Sequence, residues 1–141
     1  MTDCIFCKII NKEIPADIVF EDEHVLAFLD IKPTSKGHTL VVPKIHVENF
    51  LSATTEVMSN FFPSLQTVSK AVAKAVRADG LSIRTANGPA AGQSVFHLHF
   101  HVTPRFTNDG LAVWPQRDSE PKTRAEIAER IKKEIQISHA H

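Results

Sequence analysis

The sequence predicts an α+β domain, in which helices pack on a mainly antiparallel sheet. Three observations predict this class. Three strand-like segments open the chain, one long segment with helical periodicity follows them, and two further strand-like segments come after it. That order indicates an antiparallel sheet with helices packed on it. A chain of 141 residues, 43% hydrophobic and 23% charged, is typical of one domain with an ordinary core.

The first 43 residues are predicted to form one short helix and three strands. Residues 4–12 fit a helix with Ile5, Ile9 and Ile10 on one side. The acidic segment "EDEH" (21–24) predicts a tight turn, and Pro, Ser and Gly make "IKPTSKG" a loop. The predicted strands run from Ile18 to Glu21, from His24 to Leu29, and from His38 to Pro43.

A long helix is predicted from Thr55 to Asp79, because apolar side chains recur there at three- and four-residue steps. Pro63 lies inside it and predicts a kink, or a short helix feeding a longer one. Arg77 in the last turn and Gly80 just after it predict its end.

The remaining segments are two strands and a late helix. A strand is predicted over "LSIRTANG" (81–88), and the second is the histidine segment "HLHFHVTP" (97–104), with a flexible loop between them. Residues 123–135 fit a helix whose Thr123 and Glu126 form a capping box. Its apolar stripe is narrow and consists of Ile127, Ile131 and Ile135.

Composition gives little support to nucleic-acid or membrane binding. Acidic and basic residues balance at 16 each, so a phosphate site must be local. The N-terminal segment has neither a signal peptide nor a transmembrane run, which predicts a cytoplasmic protein. In a reducing compartment, two cysteines spaced C-x-x-C favour metal or redox chemistry over a disulfide.

The histidine segment is the strongest functional signal. In a strand, residues two apart share a face, so His97, His99 and His101 line one face while the apolar residues between them enter the core. Three interpretations remain open at this point: structural filler, a three-histidine metal site, and nucleophilic attack on phosphorus. In the third, one neutral imidazole attacks, neighbours fix its tautomer, and another histidine protonates the leaving group.

The cysteines suggest a zinc site, because Cys4 and Cys7 with His46 and one histidine of the strand make a Cys₂His₂ set. Two alternatives are a redox pair and a pair of inert core cysteines. Redox is disfavoured, because a thioredoxin-like C-x-x-C follows a strand and only three residues precede this one.

Two further segments suit a nucleotide, although each has an ordinary structural explanation. In "NGPAAGQS", Gly88 and Gly92 let backbone N–H groups approach an anion; an ordinary turn is the alternative. The side chains there that could donate to phosphate are those of Asn87, Gln93 and Ser94. In "FLDI", Asp30 could accept both ribose hydroxyls while Phe28 and Ile31 cover a base; the alternative is a strand-ending cap.

These motifs resemble the histidine triad (HIT) family. Its signature is His-φ-His-φ-His-φ-φ, with φ apolar, and "HLHFHVT" departs from it only at Thr103. The resemblance covers about residues 4 to 104 and is closest to the nucleotide-hydrolysing, Hint-like branch. It implies a five-stranded antiparallel sheet with two main helices, to which this chain adds a C-terminal helix. It also implies a homodimer, with a HIT domain over residues 1–115 and a C-terminal extension over 116–141.

The resemblance also implies roles for individual residues. His99 is expected to be the nucleophile, His101 to bind phosphate and help protonate the leaving group, and His38 to support the cluster. A structural Zn²⁺ is expected on Cys4, Cys7, His46 and His97. Substrate contacts are expected from Asp30, Phe6, Phe28, Ile31, Asn87, Gly92, Gln93 and Ser94.

The expected activity is hydrolysis at the α-phosphorus of a purine nucleotide conjugate, either a phosphoramidate or a dinucleoside polyphosphate. It would proceed through a nucleotidyl-histidine intermediate. Two alternatives are transfer of the nucleotidyl group to phosphate or sugar phosphate, and a nucleotide-binding adaptor with weak catalysis. The leaving group stays open.

Overall fold

The computed structural model describes residues 3–139, which form three α-helices and five strands. The predicted α+β class and five-stranded antiparallel sheet are confirmed. The elements in chain order are α1 (Ile5–Ile10), β1 (Ile18–Glu21), β2 (Val25–Leu29), β3 (Thr39–Pro43), α2 (Thr55–Ala75), β4 (Gly80–Arg84), β5 (Phe100–Arg105) and α3 (Pro121–His139).

The sheet has the order β1-β2-β3-β5-β4, and every neighbouring pair is antiparallel. Strand β5 lies between β3 and β4, so the histidine segment enters the middle of the sheet. One row of directly paired residues crosses four strands: Phe28 pairs with Leu40, Leu40 with His101, and His101 with Arg84. Side chains paired in this way project from the same face of a sheet.

Both faces of the central strands are covered, as the uninterrupted burial of β3 shows. Helix α2 covers one face through Phe61, Leu65, Val68 and Val72, which join a core that includes Leu98, Phe100 and Val102. Helix α1 covers part of the other face, where Phe6 and Ile9 pack on Leu26, Phe28, Leu40 and Val42. The apolar residues of the histidine segment therefore do enter the core, as predicted.

Helix α1 is rotated relative to the prediction. The expected apolar side holds for Ile9 and Ile10, which pack in the core, and is wrong for Ile5, which is 45% exposed while Phe6 is buried. This rotation packs Phe6 on Phe28 and directs the sulfurs of Cys4 and Cys7 toward His97.

Helix α2 is continuous through Pro63, so the predicted alternative of a short helix followed by a longer one is wrong. Proline removes the hydrogen bond to the carbonyl four residues earlier, and its ring pushes that carbonyl aside. That residue, Ser59, is exposed, as is Pro63, so water can satisfy the carbonyl. The helix ends at Ala75, before the predicted Asp79. Arg77 takes the left-handed conformation (φ 54°), and Gly80 instead opens β4.

Two predicted details at the C-terminal end of the chain are wrong. Strand β5 begins at Phe100, so only His101 of the three histidines lies within a strand. Helix α3 begins at Pro121, which places Thr123 inside the helix and excludes the capping box. A proline at the first position needs no hydrogen-bond partner for its nitrogen, which explains the earlier start. The stripe of Ile127, Ile131 and Ile135 is 41–54% exposed.

The chain divides into two compact units, one ending at Asp109 and the next beginning at Gly110. The histidine segment, the cysteines and the whole sheet belong to the first unit, and α3 belongs to the second. Among residues 3–139, no helix has the length and apolar character needed to cross a bilayer.

Replacing Gly37 by alanine is expected to lower the free energy of unfolding by about 2–4 kcal/mol. Gly37 has a φ of +90°, and a Cβ there would lie 2.9 Å from Cγ1 of Val76 and 3.4 Å from Cγ of Pro104. Urea denaturation measures the loss. Gly88→Ala is the matched control, because Gly88 has the same φ but no atom within 4 Å of the added carbon. Equal losses in the two variants would show that the contact with Val76 costs nothing.

Candidate functional site

Four histidines converge where β3 meets the segment leading into β5. His38 directly precedes β3, His101 lies in β5, and His97 and His99 lie in the segment just before β5. His38, His97 and His99 are 3%, 0% and 9% exposed. Because buried imidazoles need hydrogen-bond partners, their contacts define which ring nitrogens carry protons.

The ring of His99 is fixed by the backbone. Its Nδ1 lies 2.7 Å from the carbonyl oxygen of His97, and a carbonyl can only accept a hydrogen bond. Nδ1 therefore carries the proton and donates it to this oxygen. In the neutral ring, the lone pair is on Nε2. Thr85 adds a second constraint, since its hydroxyl donates to the carbonyl oxygen of His99 at 2.7 Å. His99 can therefore act as a nucleophile through Nε2.

His38 and His101 form a second constrained pair. The backbone N–H of Thr34 donates to Nδ1 of His38 at 3.0 Å, so the proton of the neutral His38 ring is on Nε2. That nitrogen lies 3.0 Å from Nδ1 of His101 and donates to it. The proton of neutral His101 is then on its own Nε2. His101 can therefore offer an N–H group to a ligand beside His99, whose ring centroid is 5.1 Å away.

Burial keeps these rings neutral near pH 7. Desolvation lowers the pKa of His38 and of His99 below the usual value for histidine. It also lowers the pKa of His101 to about 4, helped by the charges of His99, His38 and Arg84. Neutral imidazoles supply both a free lone pair on His99 and an N–H donor on His101.

The predicted metal ligands come together in one cluster. The Sγ of Cys4 lies 3.4 Å from Nδ1 of His97, and the Sγ of Cys7 lies 3.3 Å from Nδ1 of His46 and 3.6 Å from that of His97. The two Nδ1 atoms are 3.1 Å apart. All four donor atoms lie within 4.8 Å of one another, so these residues could hold one metal ion.

Two protonation states of this cluster bear on metal binding. His97 donates from Nε2 to the carbonyl oxygen of Pro43 at 2.8 Å, so its neutral ring turns the lone pair of Nδ1 toward the cysteines. Burial, followed by the hydrogen bond and charge of Cys4, raises the pKa of the Cys7 thiol to about 11. A bound cation reverses this by favouring the thiolate.

Of the residues predicted to contact the base and the ribose, Phe6, Phe28 and Asp30 lie near the histidines, whereas Ile31 is exposed. The Phe6 ring stands edge-on to Phe28, with centroids 5.6 Å apart, and to His99, with centroids 5.0 Å apart. Ile31 is 88% exposed. Asp30 follows β2, and its Oδ2 lies 3.7 Å from Nε2 of His38. Its Oδ1 accepts the backbone N–H of Lys32, so the predicted cap at the end of the strand is also present.

The loop before the histidine segment is built around Gln93. The Nε2 of this buried side chain donates to the carbonyls of Glu48 and Val95, and its Oε1 accepts the N–H of Gly88. Both amide protons are thus used within the protein, and Gln93 holds the loop in shape. Gly92 takes a left-handed conformation that favours glycine.

Two other loop residues predicted to contact phosphate differ in exposure and bonding. Ser94 is exposed beside Cys4 and His46 in a cleft of about 520 Å³. Asn87 is half-buried and accepts the N–H of Leu51 through Oδ1.

Sequence reasoning missed four residues that act on the histidines. Thr34 and Pro43 act through backbone atoms, which residue type does not reveal. Arg84 ends the strand that pairs with β5, and Thr85 directly follows it. A register drawn between the two predicted strands would have found Arg84 opposite His101.

Comparisons with known proteins agree with this geometry. Residues 11–108 match the family model described as the HIT domain. The crystal structure of SMU.412c from Streptococcus mutans superposes with a TM-score of 0.91 at 47% identity, covering 96% of this chain and 87% of that one. The fold is therefore that of this family.

Two relatives at lower identity carry enzyme names. The adenosine 5′-monophosphoramidase HNT1 of Saccharomyces cerevisiae is 40% identical over 119 residues, which are 83% of this chain and 73% of that protein. The adenylylsulfatase HINT3 of Arabidopsis thaliana is 38% identical over 109 residues, which are 77% of this chain and 55% of that protein. With the family model and these relatives in agreement, the chain belongs to the HIT domain family.

Proposed function

We propose that this protein is a hydrolase that cleaves at the α-phosphorus of purine nucleotide conjugates through a nucleotidyl intermediate on His99. One observation carries the proposal. The backbone holds His99 as a neutral imidazole with its lone pair on Nε2, which is the form that attacks phosphorus. The enzyme names of the yeast and plant relatives support a hydrolase of nucleotide conjugates.

The reaction has two steps. In the first, a bond forms between Nε2 of His99 and phosphorus while the bond to the leaving group breaks. His101, whose Nε2 carries the proton, hydrogen-bonds the phosphate. A basic leaving group takes its proton from water, because the neutral His101 ring has no acidic proton to give. In the second, water attacks phosphorus, releases the nucleoside monophosphate and restores His99. His38 holds the tautomer of His101 throughout.

Substrate binding is assigned to both sides of His99. The Phe6–Phe28 pair, with Ile31, would cover the base, and Asp30 would accept the ribose hydroxyls. On the phosphate side, we assign contacts to Asn87, Ser94 and the backbone at Gly92. Gln93 supports this loop from within, since its amide is fully bonded to backbone groups.

We further propose Zn²⁺ as the metal ion on Cys4, Cys7, His46 and His97. Zn–S bonds of about 2.3 Å and Zn–N bonds of about 2.0–2.1 Å imply S–N separations of about 3.6 Å and N–N separations of about 3.3 Å in a tetrahedral site. The corresponding separations in the structure are 3.3–3.6 Å and 3.1 Å. When bound, zinc supplies a structural cross-link between α1 and the histidine segment.

We infer a homodimer joined near β4. Two observations support it: β4 is an edge strand, and the surface beside it is apolar. An apolar cleft there is lined by side chains that include Phe62, Leu65, Leu81 and Ile83. Phe62 and Ile83 are 41% and 47% exposed.

The proposal predicts that water, and not a second nucleotide acceptor, receives the nucleotidyl group. In ¹⁸O-labelled water, the nucleoside monophosphate released from adenosine 5′-phosphoramidate should carry ¹⁸O, as mass spectrometry would detect. Added inorganic phosphate or sugar phosphate should leave the product unchanged. A nucleotidylated acceptor would assign the protein to the transferases instead.

A further inference from the structure

Arg84 lies at the end of the paired row that crosses the site. It is directly opposite His101 in the β4–β5 register, so both side chains project from the same face of the sheet. Directly paired residues have Cβ atoms about 4.5–5.5 Å apart. The guanidinium can therefore reach a group that is bound beside His101.

The charge of Arg84 is available to a ligand. The side chain is exposed, and within residues 3–139 the structure records neither an ion pair nor a hydrogen bond for its guanidinium. Its charge contributes to the lowered pKa of both His38 and His101. An arginine of this kind binds sulfate and phosphate oxygens through two parallel N–H groups.

The row of paired residues that crosses the sheet has an apolar end and a charged end. Phe28 and Leu40 make its first part apolar, His101 follows, and Arg84 ends it. Three interstrand spacings, about 14 Å, separate Phe28 from Arg84. With the base on the Phe6–Phe28 side and the α-phosphorus at His99, a leaving group that points away from the nucleoside lies toward Arg84.

We propose that Arg84 binds a negatively charged leaving group, so that the preferred substrates are nucleoside 5′-phosphates joined by an anhydride bond to a second anionic group, either sulfate or phosphate. This inference rests on the proposed function and adds the class of leaving group. Arg84 is then a specificity-determining residue.

The electron balance differs between the two classes of substrate. In an anhydride, the bond from phosphorus to the bridging oxygen breaks, and its electron pair stays on the departing sulfate or phosphate. That anion needs no proton, and the positive charge of Arg84 stabilises it as it forms. In a phosphoramidate, the bond from phosphorus to nitrogen breaks and the amine must take a proton. Arg84 contributes nothing to that departure.

The test compares kcat/KM of the wild-type protein and Arg84→Gln on three substrates. Adenosine 5′-phosphosulfate and diadenosine triphosphate release anions, and adenosine 5′-phosphoramidate releases ammonia. For the anhydrides we expect losses of about 10- to 100-fold, the size of a lost hydrogen bond to a charged group. For the phosphoramidate, we expect a change below about threefold. The anhydride with the larger loss identifies sulfate or phosphate as the better-fitting anion.

Two further variants complete the experiment. Arg84→Lys should restore part of the anhydride activity, because it keeps the charge without the planar fork. Lys74→Gln removes a positive charge from helix α2, on the other face of the sheet, and should change none of the three rates.

Three results would overturn the assignment. Equal losses on all three substrates would make Arg84 a ligand of the α-phosphate, and unchanged rates would give it no role. A change in sedimentation coefficient would place it in a subunit interface. A failure of the proposed function is distinct from these, since it appears as turnover that survives in His99→Ala.

Discussion

His99→Ala should lower kcat/KM for every nucleotide conjugate by at least about 10⁴-fold, the scale of losing a catalytic nucleophile. Nε2 of this ring is the atom proposed to bond to phosphorus, and no neighbour can replace it. Nδ1 of His101 is occupied by His38, and the lone pair of His97 faces the cysteines. Steady-state hydrolysis of adenosine 5′-phosphoramidate measures the effect.

The same variant should bind nucleoside monophosphate nearly as well as the wild type, because the proposed base and ribose contacts are untouched. Calorimetric titration with AMP would check this. His24→Ala is a matched control, since the side chain of His24 is about half exposed in the turn between β1 and β2. Its kcat/KM should equal that of the wild type. Persistent turnover in His99→Ala would remove the covalent mechanism and favour a metal-hydroxide interpretation.

Cys7→Ser should abolish stoichiometric zinc binding and lower the free energy of unfolding by about 4 kcal/mol, the stabilisation given by a ligand at 1,000 times its Kd. The reason is that Cys7 is the buried donor of α1 and contacts both His46 and His97. Metal analysis of the purified protein and urea denaturation measure the two effects. Both should appear in the same variant.

His99→Ala supplies the control for the metal prediction, because it alters the neighbouring chemistry but none of the four proposed ligands. It should retain about one zinc per chain. If Cys7→Ser instead kept the metal content of the wild type, the cysteines would be ordinary core residues. A loss of stability in that variant would then reflect packing alone.

The local sequence pattern was sufficient to predict the elements whose apolar side chains pack against a single core. The bounds of β1 match the prediction, and β2 and β3 each begin one residue later. Helix α2 was recognisable because Phe61, Leu65, Val68 and Val72 recur at helical spacing and face one core. Where tertiary contacts decide, pattern failed. Helix α1 buries Phe6 in place of Ile5, because an aromatic ring fills the space between Phe28 and His99.

The sequence predicted which residues form the candidate metal cluster, and Cys4, Cys7, His46 and His97 do lie together. It could not show that backbone groups of Thr34, Pro43 and His97 select the proton positions of the rings. Every residue has a backbone carbonyl, and nearly every residue has a backbone N–H. Only the fold determines which of these groups reaches a histidine ring. The same reasoning explains Gln93, whose amide is turned inward onto carbonyls.

His97 gives its ring to the cysteine cluster and its carbonyl oxygen to His99. One residue thus connects the cysteine cluster to the backbone oxygen that orients His99. A variant without Cys4 and Cys7 would have to hold the backbone of His97 in place by other packing. Otherwise the imidazole at position 99 would be free to rotate and to exchange its tautomer.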